Sequence, residues 1–557
     1  MVKRAREFSD EGEESSKRIK PTDVDRLSRL SDELTLRVLS FLPTSKLVVC
    51  ERLAHKYRVL AGDGQLWKQR FYERFVQPRA SKYPGLKDDE ALEQSSRSTA
   101  KSSRWLKDEH LLKQGAKMNW KRQYKLRHNW TQGSAVVSEI LVAEESTIPP
   151  VLVQMHVGVI YMADTDGLQA WSTKGERKMV AKIGFDASVA SPPTALAIDT
   201  KSSDDDPRII VGFENGSFSV YALDQAQAQF SHQYSHAASS NGVISATAVS
   251  WPYIVTMTAT QLLSLYRFGK HKKSQEVLDP PRLLHSLKSN TIWPPLSTSL
   301  RTTEASITIT VAYALPTYLS GWTVGLQEVK VSHKGDLIES RLASAIGQHY
   351  RPLAFSVPPL MQHLSIPSTT TQTSSTTIEL RHIHSKPTSL SYTHPYLLVS
   401  HPDNTLTLYL VTSTTDALSI SAGSTLWGHT SSVSGAHVGD RGKAVSVSTR
   451  GDELRLWELE GGFASSAAKK RLAAVDLSVR VRPELRRNAT ESKAAELNLV
   501  TQALSARGTG SCAAEQRLEE ESELTLTRGW VGFDEEKVVV LKEQSQGGQA
   551  LVVYDFT

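Results

Sequence analysis

From residue 134 onward the chain repeats one local pattern. A short run rich in β-branched and aromatic residues is followed by a Gly, Asn, Asp or Pro turn, then by a second run ending near an aromatic ring. RIIVGFENGSFSVYAL, YLLVSHPDNTLTLYLV and KAVSVSTRGDELRLWEL are clear examples, the first two turning at Glu214-Asn215-Gly216 and Pro402-Asp403-Asn404. Branched and ring side chains fit a pleated, half-buried surface, and the turn residues punctuate it, so these runs read as strands joined in hairpins. The rings are Trp171, Tyr221, Tyr266, Tyr409, Trp457 and Tyr554, at intervals of 50, 45, 143, 48 and 97 positions.

Intervals of 45 to 50 residues match one four-stranded blade and its loops, so the spacing predicts an all-β propeller over 134–557. The 143-residue interval has room for more than one unit and contains strand-like runs near 307–314 and 322–331. Seven blades fit best, and six or eight are also compatible. Two segments interrupt the period, the low-complexity PSTTTQTSSTT at 367–377 and a stretch rich in Ala, Ser, Glu, Lys and Arg at about 461–524. Surface insertions of this kind are tolerated because loop-closure entropy grows slowly with length.

The front of the chain obeys a different period. Leu34, Val38 and Leu42 recur every four residues, with Asp32 and Glu33 in a first turn that Ser31 can cap and Pro43 ending the run. That predicts a helix over 30–42. Leu47, Cys50, Leu53, Tyr57 and Leu60 predict a second helix ending at Gly62, and Trp67, Phe71 and Phe75 a third. This gives a small all-α unit over 28–78, preceded by a charge-dense tail, 1–27, that is expected to be disordered. A connecting region, 79–133, follows, with a polar, serine-rich start and a helical reading over 104–128. Within it, residues 101–128 hold nine Lys/Arg and two acids, interleaved with Leu106, Leu111, Leu112, Trp120 and Tyr124. A solvated helical face explains that charge as simply as a phosphate-binding patch does.

Three stretches carry family resemblances. TLWGHTSSVSGAHVGDRGKAVSVSTRGDELRLWEL, 425–459, resembles a WD40 repeat, with Gly428-His429 at its Gly-His position and Trp457 at its terminal Trp. The resemblance implies a hydrogen-bonded network pinning the blade, to which His429, Thr449 and Trp457 fit. The usual Asp position falls on Gly451, with Asp452 one residue late. It also implies ring closure by an N-terminal strand, here 135–142, against the C-terminal run 551–556. The front segment resembles an F-box through Leu30, Glu33, Leu34, Val38, Leu39, Phe41, Leu42, Pro43, Leu47, Leu53, Leu60, Leu66 and Trp67, departing from it at Ser31 and Tyr57, where Pro and Trp are usual. Residues 119–133, NWKRQYKLRHNWTQG, resemble the run that joins F-boxes to WD40 propellers.

The F-box resemblance implies a Skp-type adaptor and, through it, a cullin scaffold. The adaptor-binding set it implies is Leu30, Leu34, Val38, Leu39, Phe41, Leu42, Pro43, Leu47, Leu53, Tyr57, Leu60, Leu66 and Trp67. For Leu39, Leu53 and Leu60 an internal core role fits nearly as well. The implied function is substrate recognition in an SCF-type cullin ubiquitin ligase, the propeller holding a protein substrate of unknown identity. Two other readings share the motif order: a non-ligase scaffold for complex assembly, and a nucleic-acid-binding propeller using 101–128. Mixed acids elsewhere and the lack of a repeated basic–aromatic pattern weigh against the last.

The chain shows no P-loop, HExxH, G-x-S-x-G or CxxC, and its 17 His are scattered. It is expected to be a binding module without enzymatic activity, cofactor or metal. Two cysteines, Cys50 and Cys512, suit a reducing compartment, and no apolar run is long enough to span a bilayer. The paired basic clusters Lys3-Arg4 and Lys17-Arg18 with Lys20 look like a two-part nuclear import signal. An intracellular protein, nuclear and/or cytoplasmic, is therefore expected.

Overall fold

The computed structural model describes residues 30–77, 119–143, 150–174, 178–185, 191–199, 207–225, 227–269, 277–289, 291–317, 321–345, 385–414, 417–439, 442–449, 451, 453–459, 478–484, 526–543 and 548–557. The tail with Lys3, Arg4, Lys17, Arg18 and Lys20, residues 79–118, the 367–377 segment and most of 461–524 lie outside the described residues. The chain divides into two compact units, Met1–Lys125 and Leu126–Thr557.

In the second unit seven antiparallel sheets succeed one another along the sequence. Six are contiguous, at 152–184, 193–236, 244–288, 293–344, 389–426 and 433–480. The first strands of the blades neighbour one another in turn, and Leu526–Phe533 of the seventh returns to Leu152–His156 of the first. The fold is a seven-bladed propeller. The seventh blade takes three strands from the C-terminus and its outer strand from Ser134–Ala143. The expected closure is present: Val137 lies opposite Tyr554 and Ile140 opposite Leu551. A short strand, Arg482–Glu484, adds in parallel to the start of Ser134–Ala143. Pairing the two ends of the unit in one sheet hides edges that would otherwise invite other chains.

Both faces of a blade are covered by its neighbours, so its middle strands are buried at nearly every position, while outer strands such as Gln229–His236 keep exposed polar residues. Arg208–Phe213 is buried at every position. Its Ile209, Val211 and Phe213 join the layer shared with the first blade, and Ile210 the layer shared with the third. One apolar layer of this kind fills each of the seven gaps between blades. Hydroxyls reinforce the ring from blade to blade: Thr194 donates to the Ile244 carbonyl (2.7 Å) and Thr393 to that of Val438 (2.9 Å).

The 143-residue interval contains the whole fourth blade. Its large buried ring, Tyr313, stands on the second strand, Ile307–Thr317, opposite Gly325 on the third. A Cβ at Gly325 would fall 2.6 Å from the Tyr313 ring, so only glycine leaves room for it.

The first unit contains helices α1 (Asp32–Ser40), α2 (Thr44–Cys50), α3 (His55–Ala61) and α4 (Gly64–Phe71), the last continued by a π-turn at Tyr72–Val76. Ser31 caps α1 and Asp63 caps α4, the Asp63 carboxylate accepting from the Gln65 and Leu66 amides. The single second helix expected from the 47–60 spacing is two helices. The chain turns over Glu51–Leu53, with Ala54 extended at φ −156°, and no Gly or Pro marks the break. A fifth helix, α5 (Trp120–Gln132), crosses the division between the units at Lys125 and Leu126.

Each part of α5 packs within its own unit. In the first, Tyr124 meets the Trp67 ring edge-on at 5.3 Å and receives a hydrogen bond from Arg74 (2.6 Å), while Lys121 pairs with Glu51. In the second, Trp130 stacks on Phe556 at 4.4 Å and donates to the Glu535 carbonyl, Asn129 donates to the Phe556 carbonyl, and Arg127 pairs with Glu458. Of the connecting region, Trp120–Lys125 thus packs in the first unit and Leu126–Gln132 in the second, and 79–118 lies outside the described residues.

Candidate interaction surface

The interior of the helical unit is built from Leu39, Leu47, Leu60, Ala61, Leu66, Trp67, Phe75 and Tyr124, with Leu36, Leu42, Cys50, Phe71 and Trp120 partly buried against them. Trp67 donates its indole N–H to the Ala61 carbonyl at 2.7 Å, satisfying its polar atom inside the core. Arg70 donates to the carbonyls of Ser40 and Leu42, tying the end of α1 to α4.

Part of the implied adaptor-binding set lies in this interior. Leu39, Leu47, Leu60, Leu66 and Trp67 face inward, because the small bundle needs them to cover one another. Leu42 packs against the same core, Leu30 and Tyr57 are half-buried, and Pro43 is the exposed N-cap of α2.

What remains outward is a row of large apolar side chains. Leu34, Val38 and Phe41, stepping four and three along one face of α1, are 55%, 44% and 73% exposed. Leu53, in the turn after α2, is 67% exposed, and Val48, Val49 and Val59 are exposed on α2 and α3. The spacing argument missed these three valines because they lie off the leucine steps. Beside the row, α1 and α4 enclose a cleft of about 570 Å³ lined by Glu33, Leu36, Arg37, Ser40, Leu66 and Tyr72, among others. Scattered single apolar residues on a surface are ordinary, but several on one small helical unit mark a surface that another chain can cover.

In the propeller the network around Trp457 differs from the expected one. Trp457 Nε1 donates to Ser446 Oγ at 2.7 Å, and His429 Nε2 lies 2.5 Å from the same oxygen. The hydroxyl at the centre is therefore Ser446, on the strand Lys443–Ser448. Thr449 sits in the following turn and bonds Ser432 instead. The acid in the described network is Glu453, and Asp452 lies outside the described residues. The Glu453 carboxylate accepts from the Thr430 amide (2.8 Å), the Thr430 hydroxyl (3.0 Å) and Arg455 Nε (2.7 Å), and lies 3.5 Å from His429 Nδ1. Burial alone would raise the Glu453 pKa, but the Thr430 amide and Arg455 more than offset it and hold it below the ordinary 4.5.

The network gives a test. Ser446→Val should leave the His429 ring and the Trp457 N–H without their shared partner, costing about 2–4 kcal/mol. Thr449→Ala, which loses the side-chain bonds to Ser432, should cost about 1 kcal/mol. Thermal denaturation of the two variants checks the order, and the reverse order would return Thr449 to the network.

Among the described residues no three His, Cys, Asp or Glu side chains are grouped so that they could hold a metal ion, and no helix is long and apolar enough to cross a membrane.

Set beside known families, residues 135–557 match the one described as F-box protein pof12 beta-propeller. The chain belongs to this family. The match starts one residue into the outer strand of the closing blade and runs to the C-terminus, so the pof12-type propeller coincides with the ring described above. No curated protein matches the chain in sequence.

Solved structures similar to it include the WD40 beta propeller domain of Doa1, 10% identical, covering 76% of this chain and 96% of that one at a TM-score of 0.35. Sqt1 of Saccharomyces cerevisiae is 8% identical, covering 75% and 97% at 0.37. The Cps50 (Swd1) beta-propeller domain of Myceliophteria thermophila is 8% identical, covering 76% and 100% at 0.38. The seven sheets, rather than these distant likenesses, define the architecture of the pof12-type chain.

Proposed function

We propose that this protein is the substrate-recognition subunit of an SCF-type cullin ubiquitin ligase. Its helical unit would bind a Skp-type adaptor, and its propeller a protein substrate. Membership of an F-box protein propeller family supports the reading. The observation that carries it is the exposed row Leu34, Val38 and Phe41 on a unit whose core is already complete without them. An amphipathic helical face left uncovered in this way is the surface that a partner's helices bury. The protein itself would contribute no catalytic side chain. It would act by holding a substrate lysine near a recruited conjugating enzyme, which removes entropy from the barrier. The reading carries with it an intracellular site of action, nuclear if the clusters at Lys3-Arg4 and Lys17-Arg18 bind an import receptor.

The test is titration of a recombinant Skp-type adaptor against the full chain and a Leu34→Asp/Phe41→Asp double variant. Each anchor lost from a buried interface removes about 1.5–3 kcal/mol, before the cost of burying a carboxylate. Affinity should therefore fall by at least about 100-fold, with the melting profile unchanged because both side chains are exposed. Unchanged affinity would overturn the reading.

A further inference from the structure

The chain passes from blade to blade over the short connections 185–192, 237–243, 289–292 and 427–432, but takes 345–388 to go from the fourth blade to the fifth. A connection this long is uncommon in a compact fold and is often functional. Residues 346–384 lie outside the described residues, but the chain on either side of them is fixed at one corner of the fourth blade. Where it leaves, the Ala345 amide donates to the Val324 carbonyl at 3.0 Å, and Ala345 packs in the layer between the fourth and fifth blades. Where it returns, the Lys386 ammonium lies over the Trp322 ring at 5.3 Å. Trp322 stands two residues before Val324 on one strand, so the two side chains share a face.

That corner is apolar and partly uncovered. Trp293, at the start of the first strand, is 45% exposed and lies opposite Ala314, which in turn lies opposite Val324. Two strand spacings, about 10 Å, therefore separate Trp293 from the strand that carries Trp322. Pro316, opposite Trp322, is exposed, as is Pro294. Within the long connection, 353–366 reads LAFSVPPLMQHLSI, with no Asp, Glu, Lys or Arg. Such a composition suits burial against an apolar surface better than it suits a solvated linker. Residues 346–352 can span about 25 Å, so 353–366 can return to the corner the chain has just left.

We propose that residues 353–366 of this chain dock on the corner formed by Trp293, Pro316 and Trp322. Their apolar side chains and the Pro358-Pro359 pair cover the open indole and the exposed proline. Because the segment is tied to the corner from both sides, docking is intramolecular and needs little affinity of its own. The docked segment then forms part of the surface that the propeller presents between its fourth and fifth blades. The inference stands on this connection and this corner, and does not depend on the ubiquitin-ligase reading.

The experiment places the photo-cross-linker p-benzoylphenylalanine at position 355 of the full chain, irradiates it at low protein concentration and maps the products by peptide mass spectrometry. Most cross-links should fall within 293–296 and 314–324 of the same chain. Trp293→Ala should lower their yield about tenfold, the loss expected for one large apolar anchor. That variant should melt as the parent does, because nearly half of the ring lies outside the core. Leu360→Ser/Met361→Ser, which alters no residue of the described blades, should lower the yield at least as much. Cross-links spread around the ring, or a yield that neither variant lowers, would overturn the proposal. So would an absence of cross-links within the chain, which would leave the corner to another protein, and links joining two chains, which would give it to a second copy.

Discussion

Glu328→Gln is expected to destabilise the propeller by about 3–5 kcal/mol, the cost of removing one partner from a buried ion cluster. The Glu328 side chain is fully buried on the third strand of the fourth blade, facing the fifth. Arg341 donates to one of its oxygens, Arg301 reaches the other at 3.4 Å, and Lys330 approaches to 3.9 Å. Ser413, from the fifth blade, donates to the carboxylate at 3.0 Å. Three cations therefore surround Glu328, with Glu339 sharing Lys330 (3.0 Å) and Arg341 (3.4 Å), and neutralising Glu328 removes the buried anion that Arg341 and Arg301 face.

Guanidinium denaturation of the propeller, followed by tryptophan fluorescence, measures the loss. An Arg341→Gln/Glu328→Gln pair should cost less than the two single changes added together, because the second change removes a charge the first has stranded. A loss below about 1 kcal/mol for Glu328→Gln would mean the cluster is solvated enough to behave as a surface pair.

The same carboxylate sets an acid limit. Burial pushes its pKa up, but the Arg341 and Ser413 hydrogen bonds and the charges of Arg341 and Arg301 pull it further down, so it lies below the ordinary 4.5 when folded. A group with a depressed folded pKa binds fewer protons folded than unfolded. Its contribution is complete above the unfolded value and is lost as pH falls through the folded one. The gap in stability between parent and Glu328→Gln should therefore be full at neutral pH and shrink only below about pH 4.5.

The propeller was legible because its physics repeats. A blade covered on both faces needs continuous apolar strands, and rings near the ends of third strands mark the period at Trp171, Tyr221, Tyr266, Tyr409, Trp457 and Tyr554. The fourth blade escaped that count because its ring, Tyr313, stands one strand earlier, against a glycine. The closing strand was readable from the family habit, and the register follows from its own pattern.

The details of the site were less legible. Spacing shows which positions of α1 are apolar, but Val38 and Leu39 are equally so, and only packing decides that Leu39 turns inward while Val38 stays out. The break between α2 and α3 carries no Gly or Pro, so tertiary packing overrode an unbroken leucine step. In the Trp457 network, sequence offered several hydroxyls and acids within a few positions. The pairing of Lys443–Ser448 with Leu454–Glu458 selects Ser446 and Glu453, and that register is not written in residue type.

Trp67→Ala should dissolve the helical unit while leaving the propeller's transition in place. The indole is 3% exposed, donates to Ala61, meets Tyr124 edge-on and lies 5.7 Å beneath the Lys121 ammonium. Removing it opens a cavity shared by α3, α4 and α5 and strands the Ala61 carbonyl, a loss of about 3–5 kcal/mol. A helical unit this small has a stability of that same order, so the change should unfold most of it rather than soften it. Helical ellipticity at 222 nm should fall, and amides of residues 32–76 should lose protection from hydrogen exchange, while those in the seven sheets keep theirs.

Phe41→Ala supplies the contrast. Its ring is 73% exposed, with only Arg37 resting over it at 5.3 Å, so exchange protection should remain as in the parent. On the proposed function, both changes should weaken adaptor binding, Phe41→Ala by removing surface and Trp67→Ala by removing the fold beneath it. If Trp67→Ala left residues 32–76 protected, the unit would have a stability its described core does not account for. If Phe41→Ala lost protection as well, the division between an inner and an outer apolar set would be wrong.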